Sequence, residues 1–189
     1  TLAAHAVHLD EGDIALMAER DVAVSHNPAS NLKLRSGVAP VPALRRAGVR
    51  VGLGTDGAGS NDSLDLWRDC FLAAVLHEWG DGTSPASTAL ELATAGGAAA
   101  LHLDDRIGAV APGMKADLVL VDLERLNLVP ATDVTRTLVF ATRGDEVAVV
   151  IVDGRGVVEG HRVLTVDESE VMEQCRRRAR RIFGKGAIA

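Results

Sequence analysis

The sequence is poor in cysteine and has no excess of positive charge, and both shortages narrow the classes of protein it can encode. Its two cysteines, Cys70 and Cys175, lie far apart and form no CxxC motif. This usage argues against a disulfide-stabilised scaffold and favours a cytoplasmic protein. The net charge is -6, with 26 acidic and 20 basic residues, which argues against a nucleic-acid partner because such a partner needs a basic face. No apolar run reaches the length of a membrane span, so we expect no membrane partner.

The most informative stretch is VRVGLGTDGAGSN at positions 49–61. It opens with the apolar run Val51–Leu53, whose length and type predict a buried strand. Glycines and one acid, Asp56, follow. An apolar strand that delivers a carboxylate into a glycine-rich turn is the way an α/β barrel places a metal ligand or a base at its open end. The alternative is a plain turn, because Asp-Gly pairs are common turn formers.

The pattern of this stretch occurs three times in the first part of the chain. Apolar segments at positions 1–7, 22–24 and 51–53 each run into polar or acidic residues. A helix capped by Asp10 follows the first segment, and a polar loop through Asn31 to Gly37 and then a helix over 38–47 follow the second. This alternation predicts an α/β fold with parallel strands and helical crossovers. Such folds carry their sites at the carboxyl ends of the strands.

The next part of the sequence predicts two more helices. The first covers 63–79, and the second covers 84–101 and contains Gly96 and Gly97. Two glycines inside a helix cost about 1 kcal/mol each relative to alanine, so we expect another backbone to approach closely there. The apolar periodicity of the first helix predicts a core-facing stripe made of Leu64, Trp67, Phe71, Val75 and Leu76.

The character of the sequence changes near Ile107. The apolar runs at 118–121, 147–152 and 157–163 are typical of β-strands and are separated by turn signals such as Asp153-Gly154. Asp167 then caps a final helix over 168–183. The basic run at 176–181 is compatible with an anionic partner, but a solvated helix face that complements the helix dipole is the preferred interpretation.

Histidines and a carboxylate collect at the three predicted strand ends. These ends carry His5, then Ser25-His26-Asn27 with Asn31, and then Asp56. Imidazole and carboxylate together suit metal-assisted hydrolysis, in which a carboxylate can bind a divalent metal and accept a proton from water. A single histidine on a strand is more often an ordinary core or surface group, so the hypothesis rests on the set. We interpret His8 as a loop residue and the histidines elsewhere as structural or exposed: His77, His102 and His161.

Several of these strings resemble a known family. AAHAVHLDEGDIALMAE, SHNPASNLKL and GTDGAGSN are similar to the amidohydrolase superfamily, in the branch of methylthioadenosine/S-adenosylhomocysteine deaminases and triazine hydrolases. IGAVAPGMKADLVLVDL and VIVDGRGVVEGHRV resemble the small β-sandwich that flanks the barrel there. The resemblance covers essentially the whole chain. It implies strands six to eight of a (β/α)8 TIM-type barrel over residues 1–106, a β-sandwich segment over 107–166, and a C-terminal helix over 167–189.

The resemblance also implies roles for individual residues. Asp56 matches the aspartate of strand eight, which binds Zn²⁺ and shuttles a proton, and His5 matches the strand-six histidine that helps to activate the water. His26, Asn27 and Asn31 match the strand-seven loop that shapes the substrate pocket. The implied reaction is the deamination of a purine-like or triazine-like aromatic amine by metal-bound hydroxide, with a small molecule as the substrate and a homo-oligomer as the intact form.

The sequence departs from the family in one respect. The HxH pair of the first barrel strand does not occur, and Asp56 with His5 supplies fewer than the three or more ligands usual for hydrolytic zinc sites. We therefore expect this chain to be the C-terminal portion of a longer enzyme and to be inactive by itself. Two alternatives stay open at this point. One is a ring-opening amidohydrolase of another branch, and the other is a non-catalytic α/β module that lacks the metal-binding half.

Overall fold

A three-stranded parallel sheet forms the centre of the N-terminal half. The structure is a computed structural model that describes residues 1–80 and 82–184. The strands are β1 (Leu2–Ala4), β2 (Ala23–His26) and β3 (Val51–Leu53), and they lie side by side in that order. Ala4 pairs with Ser25, and His26 pairs with Leu53, so the three carboxyl ends meet at one edge. The predicted parallel α/β arrangement is confirmed, whereas membership of an eight-stranded barrel stays a prediction.

The helices between these strands begin and end largely where the sequence predicts. Helix α1 (Glu11–Glu19) starts with a capping box between Asp10 and Asp13. Helix α3 (Val41–Arg46) has proline only at its start and is followed by Gly48 at φ +83°. The predicted loop from Asn31 to Gly37 is partly wrong, because Pro28–Lys33 forms helix α2. Its polar composition suggests a loop, but Pro28 suits the first position of a helix and Ser30 and Asn31 are buried.

The predicted core stripe of the helix over 63–79 is wrong. The helix is α5 (Leu66–Leu76), which follows the short α4 (Ala58–Asn61), and its buried side chains are Asp69, Cys70, Ala73 and Ala74. Of the predicted stripe, Leu64, Phe71 and Val75 are exposed and Trp67 and Leu76 are half-buried. The small side chains on the buried face let α5 pack closely on Ala86 and Ala89 of α6 (Pro85–Ala93). Close packing therefore decides the face, where hydrophobic periodicity alone points to the larger side chains.

The predicted helix over 84–101 is broken at Thr94 into α6 and α7 (Ala95–Ala100). The expected close approach of another backbone at Gly96 and Gly97 is confirmed. A Cβ atom at Gly96 would lie 2.6 Å from the carbonyl oxygen of Val51, and one at Gly52 would lie 2.8 Å from Cα of Gly97. Helix α7 therefore lies directly on strand β3 because glycine occupies the contact.

Substitution by alanine is expected to have different effects at the two adjacent glycines of α7. Gly96→Ala is expected to lower the free energy of unfolding by about 1–3 kcal/mol because of the overpacked contact with β3. Gly97→Ala meets only the Leu92 carbonyl oxygen, at 3.6 Å, and is expected to be neutral or to stabilise by up to about 1 kcal/mol. Urea unfolding of both variants measures the difference, and equal losses at the two positions would contradict this account of the packing.

The C-terminal half contains an antiparallel sheet of four strands in sequential order. The predicted β runs at 118–121 and 147–152 are confirmed, whereas the run at 157–163 is divided by a turn at Gly160 into two short strands. Among the described residues these strands form a single sheet, where the resemblance implies a sandwich. A helix that the sequence did not predict, α8 (Val134–Phe140), packs against α5 and α6. Residues 185–189 of the predicted C-terminal segment lie outside the described residues, and the three-part division of the chain stays a prediction. The elements are β4 (Leu118–Val121), α8 (Val134–Phe140), β5 (Val147–Val152), β6 (Arg155–Glu159), β7 (Arg162–Val163) and α9 (Glu168–Phe183).

The larger buried core lies around the parallel sheet. Val24 and Val51 from β2 and β3 pack with Leu44 of α3 and Leu92 of α6. Across the described parts of the chain, the helices are too short or too polar to cross a lipid bilayer. Contacts with α3 and α6 thus hold β2 and β3 in place. The polar loops extend from the carboxyl ends of these two strands.

Candidate active site

The parallel register brings His5 and Asp56 together at the carboxyl edge of the sheet. His5 directly follows β1, and its Nε2 lies 3.8 Å from Oδ2 of Asp56. The side chains are 40% and 32% exposed, so both are accessible to solvent. Both residues also have a positive φ, +68° for His5 and +61° for Asp56. Residues with side chains adopt this conformation at a cost of order 1–3 kcal/mol, and such residues cluster at functional sites.

Two hydroxyl groups fix the Asp56 carboxylate. Ser30 of α2 and Ser60 of α4 each donate a hydrogen bond of 2.6 Å to its Oδ2. These two bonds, with a contribution from the Gly57 amide, lower the pKa of Asp56 to about 2. The carboxylate is therefore ionised at neutral pH and held in one place.

Asn31 orients the imidazole of His5. The Nδ1 atom of His5 lies 2.8 Å from Oδ1 of Asn31, which is itself buried. An amide oxygen only accepts hydrogen bonds, so Nδ1 carries the proton and donates it to Asn31. In the neutral imidazole, Nε2 then has a free lone pair on the side that faces Asp56. Nε2 of His5 and the carboxylate of Asp56 thus face a common space.

The carboxylate of Asp56, with the imidazole of His5 beside it, fits part of a zinc site. Imidazole nitrogen and carboxylate oxygen are both ligands that zinc accepts, and the low pKa of Asp56 keeps the carboxylate in the form that binds metal. Within residues 1–80 and 82–184, however, no cluster of three or more His, Cys, Asp or Glu side chains is placed to hold a metal ion. Asp56 therefore fits zinc as one ligand of an incomplete site, and the imidazole of His5 lies beside that ligand.

The end of β2 lies very close to the end of β3. Ser25 Oγ donates a 2.8 Å hydrogen bond to Oδ1 of Asn27. A Cβ atom at Gly54 would lie 2.6 Å from that hydroxyl oxygen and 2.7 Å from that amide oxygen. Glycine is thus required at position 54 for the two strand ends to meet, and this contact places the segment around Asn27 next to the turn that carries Asp56.

His26 is placed differently from the other predicted site residues. Its side chain is completely buried, and its Nε2 lies 3.1 Å from Nε2 of His77, at the end of α5. Burial, reinforced by the neighbouring His77, lowers the pKa of His26 to about 3. The ring is directed to the helix layer, so any influence on a substrate would pass through the backbone next to Asn27. A substrate-binding role for His26, Asn27 and Asn31 stays a prediction.

Four polar residues with structural roles at this site escaped the sequence analysis: Ser30, Ser60, Asn61 and Asp69. Asp69 and Asn61 are completely buried, and Ser30 is buried beside them. The sequence offered no clear signal for them, because packing decides which face of α5 is buried, and Asp69 lies on that face with Cys70 and Ala73. An acid on a face that turns inward requires partners, because an unpaired buried charge is strongly unfavourable.

Comparison with known proteins places this chain in a family. A sequence model of the amidohydrolase family matches residues 1–157. The chain is 47% identical over 187 residues to a 5-methylthioadenosine/S-adenosylhomocysteine deaminase of Pelotomaculum thermopropionicum, and the match covers 97% of this chain and 43% of that protein. The chain therefore spans less than half the length of this relative.

Solved structures give the same result for the fold. An adenosine deaminase from Xanthomonas campestris with bound zinc matches with a TM-score of 0.89 and 38% identity, over 96% of this chain and 42% of that one. An atrazine chlorohydrolase from Arthrobacter aurescens, complexed with zinc, matches with a TM-score of 0.83 and 31% identity, over 93% of this chain and 40% of that one. Both similarities extend over nearly all of the chain and over less than half of the matched structure.

Proposed function

Because this chain belongs to the amidohydrolase family, we propose that it contributes two residues, His5 and Asp56, to the active site of a zinc-dependent aminohydrolase. The observation that carries the proposal is the contact between His5 and an ionised Asp56 at the carboxyl edge of a parallel sheet. In this proposal β1 to β3 are strands six to eight of an eight-stranded barrel. The remaining metal ligands come from protein outside this chain, so the 189 residues alone are inactive.

The proposed substrate is a purine-like aromatic amine. The relative with 47% identity is named as a deaminase of 5-methylthioadenosine and S-adenosylhomocysteine, and the solved structure with 38% identity is named as an adenosine deaminase. The chlorohydrolase of the triazine atrazine is less similar, at 31% identity. This order favours an adenine ring over a triazine ring, and it keeps the triazine-like amine as the second candidate.

Asp56 has two tasks in the proposed reaction. Its carboxylate would help to hold the zinc ion, which when bound supplies a Lewis acid that lowers the pKa of the attacking water. A carboxylate with a pKa of about 2 is a weak base, so it can deprotonate only a water that is acidified in this way. Asp56 then passes the proton to the amino group as the carbon–nitrogen bond breaks, and ammonia leaves. The carboxylate is ionised again at the end of the cycle.

His5 would orient the attacking water. Its Nδ1 proton is engaged by Asn31, so Nε2 is available as a hydrogen-bond acceptor. A water that donates to Nε2 on one side and to Asp56 on the other turns its lone pair away from both side chains. Positioning of this kind is worth several kcal/mol of activation free energy when the reacting atoms are held close together.

The proposal is tested with the protein expressed from its complete gene. After zinc is removed by a chelator and restored, we expect zinc-dependent release of ammonia from 5-methylthioadenosine, S-adenosylhomocysteine and adenosine. A triazine amine and a cyclic amide serve as comparison substrates. Hydrolysis of the cyclic amide without any ammonia from the purines would replace the proposal by the ring-opening alternative, and the absence of any hydrolysis would favour the non-catalytic module.

A further inference from the structure

A fully buried carboxylate, Asp69 of α5, lies behind the site and contacts neither His5 nor Asp56. Its Oδ1 accepts a 2.9 Å hydrogen bond from the backbone N–H of Ala29, and its Oδ2 accepts one of 2.9 Å from Nδ2 of Asn61. Removing a carboxylate from water costs several kcal/mol, and only well-formed hydrogen bonds offset that cost. Each oxygen of Asp69 therefore has a defined partner, and the two partners belong to different parts of the site.

The Oδ1 bond holds the beginning of α2. Ala29 is in the first turn of this helix, which carries Ser30 and Asn31 on the next two positions. Ser30 donates to Asp56, and Asn31 accepts from His5. One oxygen of Asp69 thus anchors the short helix that supplies a contact to both reactive side chains.

The Oδ2 bond holds the other side of Asp56. Asn61 is the last residue of α4, which also carries Ser60, the second hydroxyl donor to Asp56. Nδ2 of Asn61 donates to Asp69 and, at 2.7 Å, to the carbonyl oxygen of Thr55, the residue before Asp56. The second oxygen of Asp69 thus anchors the turn in which Asp56 itself lies.

Arg68 fixes the orientation of the Asn61 amide. Its guanidinium donates to Oδ1 of Asn61 at 2.8 Å and to the backbone oxygen of Asn61 at 2.9 Å. Because a guanidinium only donates, the amide oxygen must face Arg68, and the amide nitrogen must face Thr55 and Asp69. Asn61 must therefore be the donor and Asp69 the acceptor in the hydrogen bond between them.

We propose that Asp69 is a positioning residue of this site: it links α2 to α4 and thereby fixes both hydroxyl donors on Asp56. The role in catalysis rests on the proposed function. Helices of six and four residues are too short to be stable without tertiary contacts, so their place depends on this link. When the link is lost, Asp56 and His5 keep their chemistry but lose their fixed positions, and a small displacement is costly both for metal binding and for the reaction.

The test is Asp69→Asn in the protein expressed from its complete gene. The substitution keeps the shape of the side chain but adds an N–H₂ group, so one oxygen acceptor is lost and a donor faces a donor at Ala29 or at Asn61. We expect zinc affinity, measured by competition with a chelator, to fall about 10-fold or more. We expect kcat for ammonia release to fall by a similar factor, with KM changed less than about twofold, because the defect lies in positioning and not in substrate binding.

Two controls separate positioning from a general loss of stability. Asp65→Asn makes the same substitution on the same helix, where Asp65 caps the first turn and asparagine caps equally well, and no change is expected. Leu44→Ala removes a completely buried core side chain that makes none of the hydrogen bonds at the site, and it lowers stability. Under the proposal its folded fraction keeps wild-type zinc affinity and kcat.

A second variant covers the case in which Asp69→Asn does not fold. Asn61→Ala cuts the link from Asp69 to Thr55 and also removes the side-chain acceptor of Arg68, while the bond from Ala29 to Asp69 stays in place. We expect a loss of zinc affinity and kcat in the same direction. If both single variants fold, the double variant should be no worse than the more affected single one, since both break one link. Wild-type zinc affinity and kcat in Asp69→Asn, or in Asn61→Ala, would overturn the positioning role while leaving the proposed function intact. A wild-type protein that neither binds zinc nor releases ammonia would overturn both.

Discussion

Replacing Asp56 with asparagine is expected to lower kcat/KM for ammonia release by about 10³-fold or more, while the protein stays folded. The substitution preserves the size of the side chain and its ability to accept hydrogen bonds from Ser30 and Ser60, the two hydroxyls that contact it. It removes the negative charge that would bind the metal and the basic oxygen that would take the proton in the proposed reaction. General acid–base catalysis alone contributes about 10²–10⁴-fold, and the loss of a metal ligand adds to that.

The matched control for this substitution is Asp62→Asn. Asp62 lies six positions further along the chain and pairs with Lys33 at the surface, where its side chain is 74% exposed. An exposed ion pair contributes little to stability, so this variant should keep wild-type kcat/KM and zinc content. Steady-state ammonia release and metal analysis measure both variants. Unchanged turnover in Asp56→Asn would remove Asp56 from the mechanism.

The stability of the protein is expected to fall steadily as the pH drops below about 6.5, because of the buried pair His26 and His77. Burial lowers the pKa of His26 to about 3, and burial lowers that of His77 in the same direction. In the unfolded chain both rings have the ordinary pKa of about 6.5. Between pH 6.5 and 3, His26 is therefore protonated in the unfolded state and neutral in the folded state. In this window the free energy of unfolding increases with pH by up to about 1.4 kcal/mol per pH unit because of His26. It decreases by the same amount when the pH falls.

Urea unfolding of wild type and of His26→Gln at intervals between pH 7.5 and 4.5 measures this slope. We expect the free energy of unfolding of the variant to depend less on pH than that of wild type, because one proton fewer is taken up on unfolding. The difference amounts to about 2–3 kcal/mol between pH 6.5 and 4.5. The control is His8→Gln, which makes the same substitution at an exposed histidine outside the buried pair. Parallel curves for wild type and His26→Gln would show that His26 is protonated in the folded protein as readily as in the unfolded one.

Local sequence signals predicted most of the element order. Asp10 and Asp167 cap the helices that the sequence assigns to them, and the strand at Val51–Leu53 ends before Asp56 as its glycine-rich turn indicates. These predictions succeed because caps, turns and strand runs act within a few residues of the chain. The predictions that failed include α2 and the buried face of α5, where packing against distant residues outweighs local polarity and periodicity. The break of the predicted helix at Thr94 and the helix α8 were also not predicted.

The sequence alone determined that an imidazole and a carboxylate stand at the ends of parallel strands, because strand direction follows from the alternation of strands with helices. Only the tertiary structure decided what holds them. Asn31 lies 26 residues from His5, Ser30 lies 26 residues from Asp56, and Asp69 lies 40 residues from Ala29. The sequence signals used here act over a few residues, and none of them reaches across such separations. These contacts exist because the sheet register and the packing of α5 bring α2, α4 and the strand ends to one edge.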